Sequence, residues 1–179
     1  MHKNTKILFS LGALFLLNAC SAPAMNITSK PVGIQKSTEY ISEGVTEIQP
    51  VEVRTYSRPE GTSQDQEIAD ITCEVKGRGY SAEVITPGIV NIPVYGQKSS
   101  SVSAHCNSAT LAGTGVGQIV NFDLEQRQAA TQNAGIYGGF VGSIIASGIA
   151  SGMKAREGDR FAYKTVAVKL ISKPTLSSK

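Results

Sequence analysis

Apolar residues occupy every second position in short runs between residues 51 and 106, and again near the C-terminus. A period of two is typical of strands that bury one face, and turns containing Gly or Pro separate the runs. The pattern predicts a mainly β fold, either a small antiparallel sheet or a sandwich. Its inward positions are predicted to be Val51, Val53, Thr55, Ile71, Cys73, Val75, Tyr80, Ala82, Val84, Val90, Ile92, Val94, Val102, Ala104, Cys106, Phe161, Tyr163, Val166, Val168 and Leu170.

Two short stretches depart from this alternation. Pro93 lies inside its run and cannot donate a ladder hydrogen bond, which predicts that its strand is an edge strand or contains a bulge. The glycines of 113–117 are spaced unlike those of a dinucleotide-binding loop. We therefore interpret 113–117 as a turn.

The pattern becomes helical after residue 122. Residues 123–130 have a helix-forming composition, with Asn121 or Asp123 available as the N-cap and acids in the first turn. Residues 134–153 carry no charge, and small residues recur there every four positions. We predict a Gly/Ala-rich helical segment over 123–157, a final strand of the β domain at 158–171 and a tail at 172–179. The small residues predicted to form the helix-packing stripe are Gly138, Gly142, Ala146 and Ala150.

This four-residue spacing resembles a glycine zipper, which is found in several bacterial envelope lipoproteins and membrane-active proteins. Small residues at this spacing let two helices approach closely. Each Gly in an exposed helix costs about 1 kcal/mol relative to Ala, so such a helix needs a packing partner. The candidates are the sheet of the same domain, a second copy of the chain, and a bilayer. A flexible Gly-rich loop is the remaining alternative.

The first 19 residues have the organisation of a signal peptide. Lys3 and Lys6 precede an apolar run of eleven residues, Ile7–Leu17, which is too short to span a bilayer. The closing residues Leu17-Asn18-Ala19-Cys20 resemble a bacterial lipobox. The resemblance implies lipidation of Cys20, and Ser21 is compatible with sorting to the outer membrane. An ordinary secretory signal with a coincidental Cys is the alternative. The polar residues 20–48 are predicted to be a flexible tether, and 49–122 the β domain.

Two cysteines remain after Cys20. An even number in an exported protein predicts one disulfide, Cys73 to Cys106, and both residues lie on the inward parity of their strands. His105 is adjacent to Cys106 on a strand, so the two side chains are expected to face opposite ways. No further ligands stand at metal-site spacing, so neither a metal site nor a Cys–His nucleophile is predicted.

The formal charge of +3 over 179 residues falls to about +1 once Lys3 and Lys6 are removed with the signal. This balance argues against a nucleic-acid partner, which requires clustered Lys and Arg. No catalytic or cofactor motif is found, although the acids Asp65, Glu67 and Asp70 are close in sequence. The sequence thus favours a non-catalytic, lipid-anchored envelope protein with a structural or assembly role and no cofactor. Its expected partners are the membrane and either another copy or another envelope protein. A periplasm-facing module that binds a small ligand or peptide near Pro93 is the alternative, and a hydrolase is the third.

Overall fold

The alternating runs form strands in the computed structural model, which describes residues 24–137 and 154–173. Cys20, the signal peptide, the four small residues of the predicted zipper and the tail beyond 173 lie outside the described residues. The described strands are β1 Gln35–Lys36, β2 Glu47–Ser57, β3 Gln66–Ile68, β4 Ile71–Gly77, β5 Tyr80–Thr86, β6 Gly88–Val94, β7 Val102–Asn107, β8 Leu111–Gly117, β9 Ile119–Asn121, β10 Phe161–Tyr163 and β11 Val166–Ser172. A 3-10 turn spans Gly96–Lys98, and helix α1 spans Phe122–Tyr137.

Nine of these strands form one mixed sheet in the order β1-β5-β4-β7-β8-β11-β2-β3, with β6 also paired to β2. The strand pairs among the described residues are antiparallel except that of β11 with β2, which is parallel from Val166↔Val53 to Leu170↔Ser57. β11 then pairs antiparallel with β8 at Ile171↔Ala112. β11 thus joins two halves of the sheet, one made of β1, β5, β4, β7 and β8 and the other of β2, β3 and β6. β9 and β10 form a separate two-stranded sheet.

The core consists of the inward residues of both halves, and the predicted alternation is confirmed. Except for Phe161, which is half-buried, every predicted inward residue is buried, including Thr55, whose hydroxyl lies 2.6 Å from that of Thr86. Cys73 and Cys106 are register partners on β4 and β7 and form the predicted disulfide. The mainly β fold with one helix before the last strands is therefore confirmed. β6 pairs with β2 without a bulge, and among the described strands β2 is its only partner, as Pro93 predicted for an edge; the other side of β6 carries only an isolated bridge to Val32.

The interpretation of residues 113–117 as a turn is wrong, because they form most of β8. Their glycines are required by packing. A Cβ atom on Gly115 would lie 2.6 Å from the carbonyl oxygen of Ala167, and one on Gly117 would lie 2.7 Å from a methyl group of Val166. Side chains are excluded here because β11 passes directly over this face of β8.

Several predicted boundaries also differ from the structure. Part of the predicted tether is bound to the domain, since Val32 bridges to Val90 and Gln35–Lys36 pair with β5. The predicted final strand is divided into β10 and β11. The described end of the predicted helical segment, 154–157, is not helical. Local hydrophobic patterning does not reveal these features, because they depend on contacts with distant parts of the chain.

Helix α1 begins where the sequence predicted. Asn121 is its N-cap, because its Oδ1 accepts a hydrogen bond of 2.8 Å from the backbone N–H of Leu124. Asp123 and Glu125 lie in the first turn, where they interact favourably with the helix dipole. Within the described residues, none of the helical structure has the length and apolar character needed to cross a membrane.

Candidate functional site

The start of α1 and the residues that lead into β10 meet at one place, which we call the neck. The neck comprises Asn121, Asp123 and Arg127 on one side and Arg156–Phe161 on the other. β9 and β10 pair directly beneath it, with Asn121 opposite Phe161. The backbone N–H of Phe122 donates to the carbonyl oxygen of Arg160 over 2.9 Å. Phe122 and Arg160, which lie 38 positions apart in the chain, are therefore joined by a backbone hydrogen bond.

Asp159 is the centre of the neck. Its carboxylate accepts two hydrogen bonds of 2.8 Å from the Arg127 guanidinium, one from the Asn121 side chain and one from the backbone N–H of Arg156. The Arg127 hydrogen bonds, followed by those from Arg156 and Asn121, hold the pKa of Asp159 well below its ordinary value. A carboxylate so fully bonded is a structural group that stays ionised across the physiological range.

A second carboxylate closes the neck from the other side. Asp123 accepts a hydrogen bond from the backbone N–H of Arg160 and further ones from its guanidinium. The backbone bond is the main reason that the pKa of Asp123 is lowered. The Arg160 guanidinium also lies 5.1 Å from the centre of the Phe122 ring, within cation–π range.

Four of the six tyrosines meet beside the neck. Tyr80 begins β5, Tyr95 follows β6 and Tyr163 ends β10, while Tyr40 packs edge-on to Tyr80 with ring centres 6.4 Å apart. The Tyr163 hydroxyl donates to the carbonyl oxygen of Ser100, and that of Tyr95 donates to the carbonyl oxygen of Ile41. Burial raises the pKa of both Tyr80 and Tyr163, so their hydroxyls remain protonated.

The turn between β4 and β5 shapes this cluster. A Cβ atom on Gly77 would overlap the Tyr80 ring, and one on Gly79 would lie 2.6 Å from the carbonyl oxygen of Glu39. Gly79 also has a φ of 74°, which glycine adopts without strain. The two glycines therefore allow Tyr80 to lie over its own turn and place Arg78 at the turn's tip.

Together these residues form a groove in two connected parts. The first part is a cleft of about 440 Å³ lined by Tyr80, Tyr95 and Tyr163, with the exposed Arg78 and Lys98 at its rim together with Glu43. The second part, of about 790 Å³, continues past Tyr95 and Lys98 to the neck residues Asp159, Arg160 and Phe161. Within the described chain, neither Arg78 nor Lys98 forms a salt bridge. Glu43, Glu47 and Glu157 form none either, so the first part of the groove offers aromatic surface with two cations and one acid, and the second part adds two further acids.

The other chemistry-bearing residues are separate from this groove. His105 is exposed on the outer face of the sheet, where its Nδ1 lies 3.2 Å from the Thr114 hydroxyl, and Cys106 points inward as predicted. Asp65 pairs with Lys169 and Arg58, whose hydrogen bonds lower its pKa, and Glu67 pairs with Arg54. In the ranges 24–137 and 154–173, no group of three acidic, His or Cys residues is arranged to hold a metal ion.

Sequence reasoning did not find the tyrosine cluster. Along the chain, each tyrosine of the cluster lies between 15 and 68 positions from the next one. Only the pairing of β4, β5, β6 and β10 with their neighbours brings the four together. Tyr80 and Tyr163 were predicted only as inward residues. The strand-end positions of Tyr80 and Tyr95, each next to a Gly-containing turn, are the one local signal that could have indicated a shared rim.

Comparison of the chain with models of protein families, with curated proteins and with solved structures gave no match.

Proposed function

We propose that this chain is a non-catalytic, lipid-anchored protein of the bacterial cell envelope with a structural or assembly role. The lipobox-like ending at Cys20 supports the anchor, and Ser21 supports an outer-membrane location facing the periplasm. The Cys73–Cys106 disulfide is compatible with this location, because disulfides persist mainly outside the reducing cytosol.

The neck is the observation that carries the assembly role. Two carboxylates, Asp123 and Asp159, tie the start of α1 to the residues before β10, and the uncharged stretch 134–153 lies between these two parts in the sequence. A segment whose ends are fixed in this way can contact a partner while the sheet and its core remain undisturbed. The small residues Gly138, Gly142, Ala146 and Ala150 are proposed to provide the contact, because small side chains permit close helix packing.

The anchor is tested by fractionation. Cys20→Ala is expected to move the protein from the membrane to the soluble periplasmic fraction, because the acyl chains supply most of the membrane affinity. Retention of this variant in the membrane would refute the anchor.

The zipper is tested by crosslinking in intact cells. Gly142→Leu is expected to abolish crosslinked species, because a branched side chain separates the packed helices. Ala129→Leu, a small-to-large change on the exposed part of α1, serves as the matched control and should leave them unchanged. An unchanged pattern in Gly142→Leu would contradict the assembly role.

The groove favours a second candidate function, a module that binds a small ligand or peptide. In the first part of the groove Arg78 and Lys98 outnumber Glu43, which suits an acidic peptide, and Tyr and Arg are among the residues enriched at binding hot spots. The edge near Pro93, which the sequence suggested for this role, is already used in part: Val32 exchanges hydrogen bonds there with Ile89 and Asn91 of β6. The groove is therefore the better location.

Titration with peptides tests this second function. The full-length protein in detergent is expected to bind an acidic peptide and not a basic one of equal length. Arg78→Gln with Lys98→Gln should abolish binding, whereas Lys30→Gln, which removes an exposed charge outside the groove, should not. Equal binding of both peptides, or equal binding by both variants, would count against it.

A further inference from the structure

The segment that follows Cys20 is bound to the domain only five residues later, at Met25. The backbone N–H of Met25 donates to Glu67 Oε2 over 2.7 Å, and its carbonyl oxygen accepts from Arg54 Nη1 over 3.0 Å. Arg54 Nη1 also lies 2.6 Å from Glu67 Oε1. We call these three residues the Met25 clamp. It holds both polar groups of the Met25 backbone with one ion pair.

The ion pair of the clamp is shielded from water. The side chains of Arg54 and Glu67 are 11% and 7% exposed, whereas the Lys76–Glu74 pair is about half exposed on both sides. Exposed pairs contribute little to stability, but loss of one partner of a buried pair leaves the other charge uncompensated. Beyond the clamp the chain stays bound, at Val32 on β6 and at Gln35–Lys36 on β5.

The clamp therefore limits the length of free chain between the domain and the predicted lipid. Five residues span at most about 18 Å when fully extended. We propose that the Met25 clamp holds the corner formed by β2 and β3 against the membrane surface, within this distance of the lipidated Cys20. This inference rests on the proposed lipid anchor. The free tether is then a few residues long, and not the 29 residues that the sequence suggested.

The clamp also orients the groove. Glu67 is the register partner of Tyr56 near the C-terminal end of β2, whereas Gln49 near the other end exchanges hydrogen bonds with the backbone of Tyr163. Seven residues separate Tyr56 from Gln49, a rise of about 23 Å along a strand. The membrane-proximal corner and the groove thus lie toward opposite ends of β2.

The charges of this corner indicate that the covalent attachment holds it at the membrane. Arg58 and Lys169 both pair with Asp65, and Arg54 pairs with Glu52 as well as Glu67. Cations that are already paired attract an anionic surface weakly, and salt screens such attraction further. The distance of the corner from the lipid should therefore be insensitive to salt.

Energy transfer to the bilayer tests the proposal. The full-length lipidated protein is placed in phosphatidylglycerol/phosphatidylethanolamine vesicles that carry an acceptor dye on the lipid headgroups. A donor dye is attached through Ser63→Cys, in the loop that joins β2 to β3, or through Gln97→Cys, at the groove. Both positions are exposed. We expect higher transfer from position 63 than from position 97, with the same difference at low and high salt.

Two variants separate the clamp from the fold. Inserting ten Gly/Ser residues between Ala22 and Pro23 leaves the clamp intact and adds a mean reach of about 17 Å, so transfer from position 63 should fall. Arg54→Ala should lower it as well by freeing Met25. Lys76→Ala, which breaks an exposed ion pair elsewhere, is the control and should change nothing.

The outcomes distinguish this inference from the anchor itself. Equal transfer from positions 63 and 97, or no response to the insertion, would overturn the proposed orientation while the protein remains on the vesicles. If Cys20 carries no lipid mass and the protein does not associate with vesicles, the anchor has failed. Loss of the difference at high salt would show that charge, and not the short tether, holds the corner in place.

Discussion

Gly115→Ala tests the claim that β11 excludes side chains from the inner face of β8. The added Cβ atom would lie 2.6 Å from the carbonyl oxygen of Ala167 and 2.7 Å from a methyl group of Val168. Ordinary contacts of this kind are about 3.5 Å, so β11 must move by nearly 1 Å. It is not free to do so, because five of its residues pair with β2 in parallel.

The magnitude follows from two opposing effects. Overpacking of a core contact costs about 1–3 kcal/mol. Replacing Gly by Ala also restricts the unfolded chain, which stabilises by about 0.4–1 kcal/mol. We therefore expect a net loss of about 1–2 kcal/mol, which lowers the urea midpoint by about 0.5–1 M for a domain of this size.

Gly33→Ala is the matched control. A Cβ atom there meets nothing within 4 Å, and its φ is not in the left-handed region, so only the effect on the unfolded chain remains. Because the protein contains no Trp, unfolding is followed by far-ultraviolet circular dichroism. A Gly115→Ala midpoint equal to that of Gly33→Ala or above it would refute the packing argument.

Three further predictions concern the disulfide, the neck and the core. Replacing Cys73 and Cys106 together by Ala should cost about 3–4 kcal/mol in urea unfolding, because the bond closes a loop of 33 residues; a loss under 1 kcal/mol would contradict this. Because the folded pKa of Asp159 is lowered, its stabilisation is present above the ordinary carboxyl pKa and is lost as the pH falls through and below that value. Asp159→Asn should therefore flatten the fall of the melting temperature below about pH 4, and an unchanged slope would refute this role. Ile92→Ala should cost about 2–5 kcal/mol in the same unfolding assay, because Ile92 is fully buried, and the exposed Ile85→Ala should cost much less.

Local patterning predicted much of the β domain correctly. The inward positions of β2, β4, β5, β6 and β7 follow from alternation alone, because successive side chains of a strand face opposite sides wherever the strand lies. The same parity placed Cys73 and Cys106 inside, and their pairing needed only that β4 and β7 be neighbours. The N-cap at Asn121 is likewise a local hydrogen bond.

The candidate site could not be obtained in this way. Arg78 and Lys98 became rim residues of the groove only because Tyr80, Tyr95 and Tyr163 meet between them. These are contacts between residues far apart in the chain, and a hydrophobic period carries no information about them. The sequence indicated that Tyr80 and Tyr163 are buried but not that they are adjacent.

The sequence by itself determined the mainly β class, the buried face of each long alternating strand, the disulfide and the start of α1, since each depends on residues a few positions apart or on side-chain parity. Only the tertiary structure decided that 113–117 is a strand. Its glycines are needed because β11, which follows about 50 residues later in the chain, leaves no room for side chains there. It also decided that Met25 is bound by Arg54 and Glu67, and that Arg127 of α1 is bound by Asp159. In each of these cases the deciding partner is distant in sequence, and only the folded chain brings the two together.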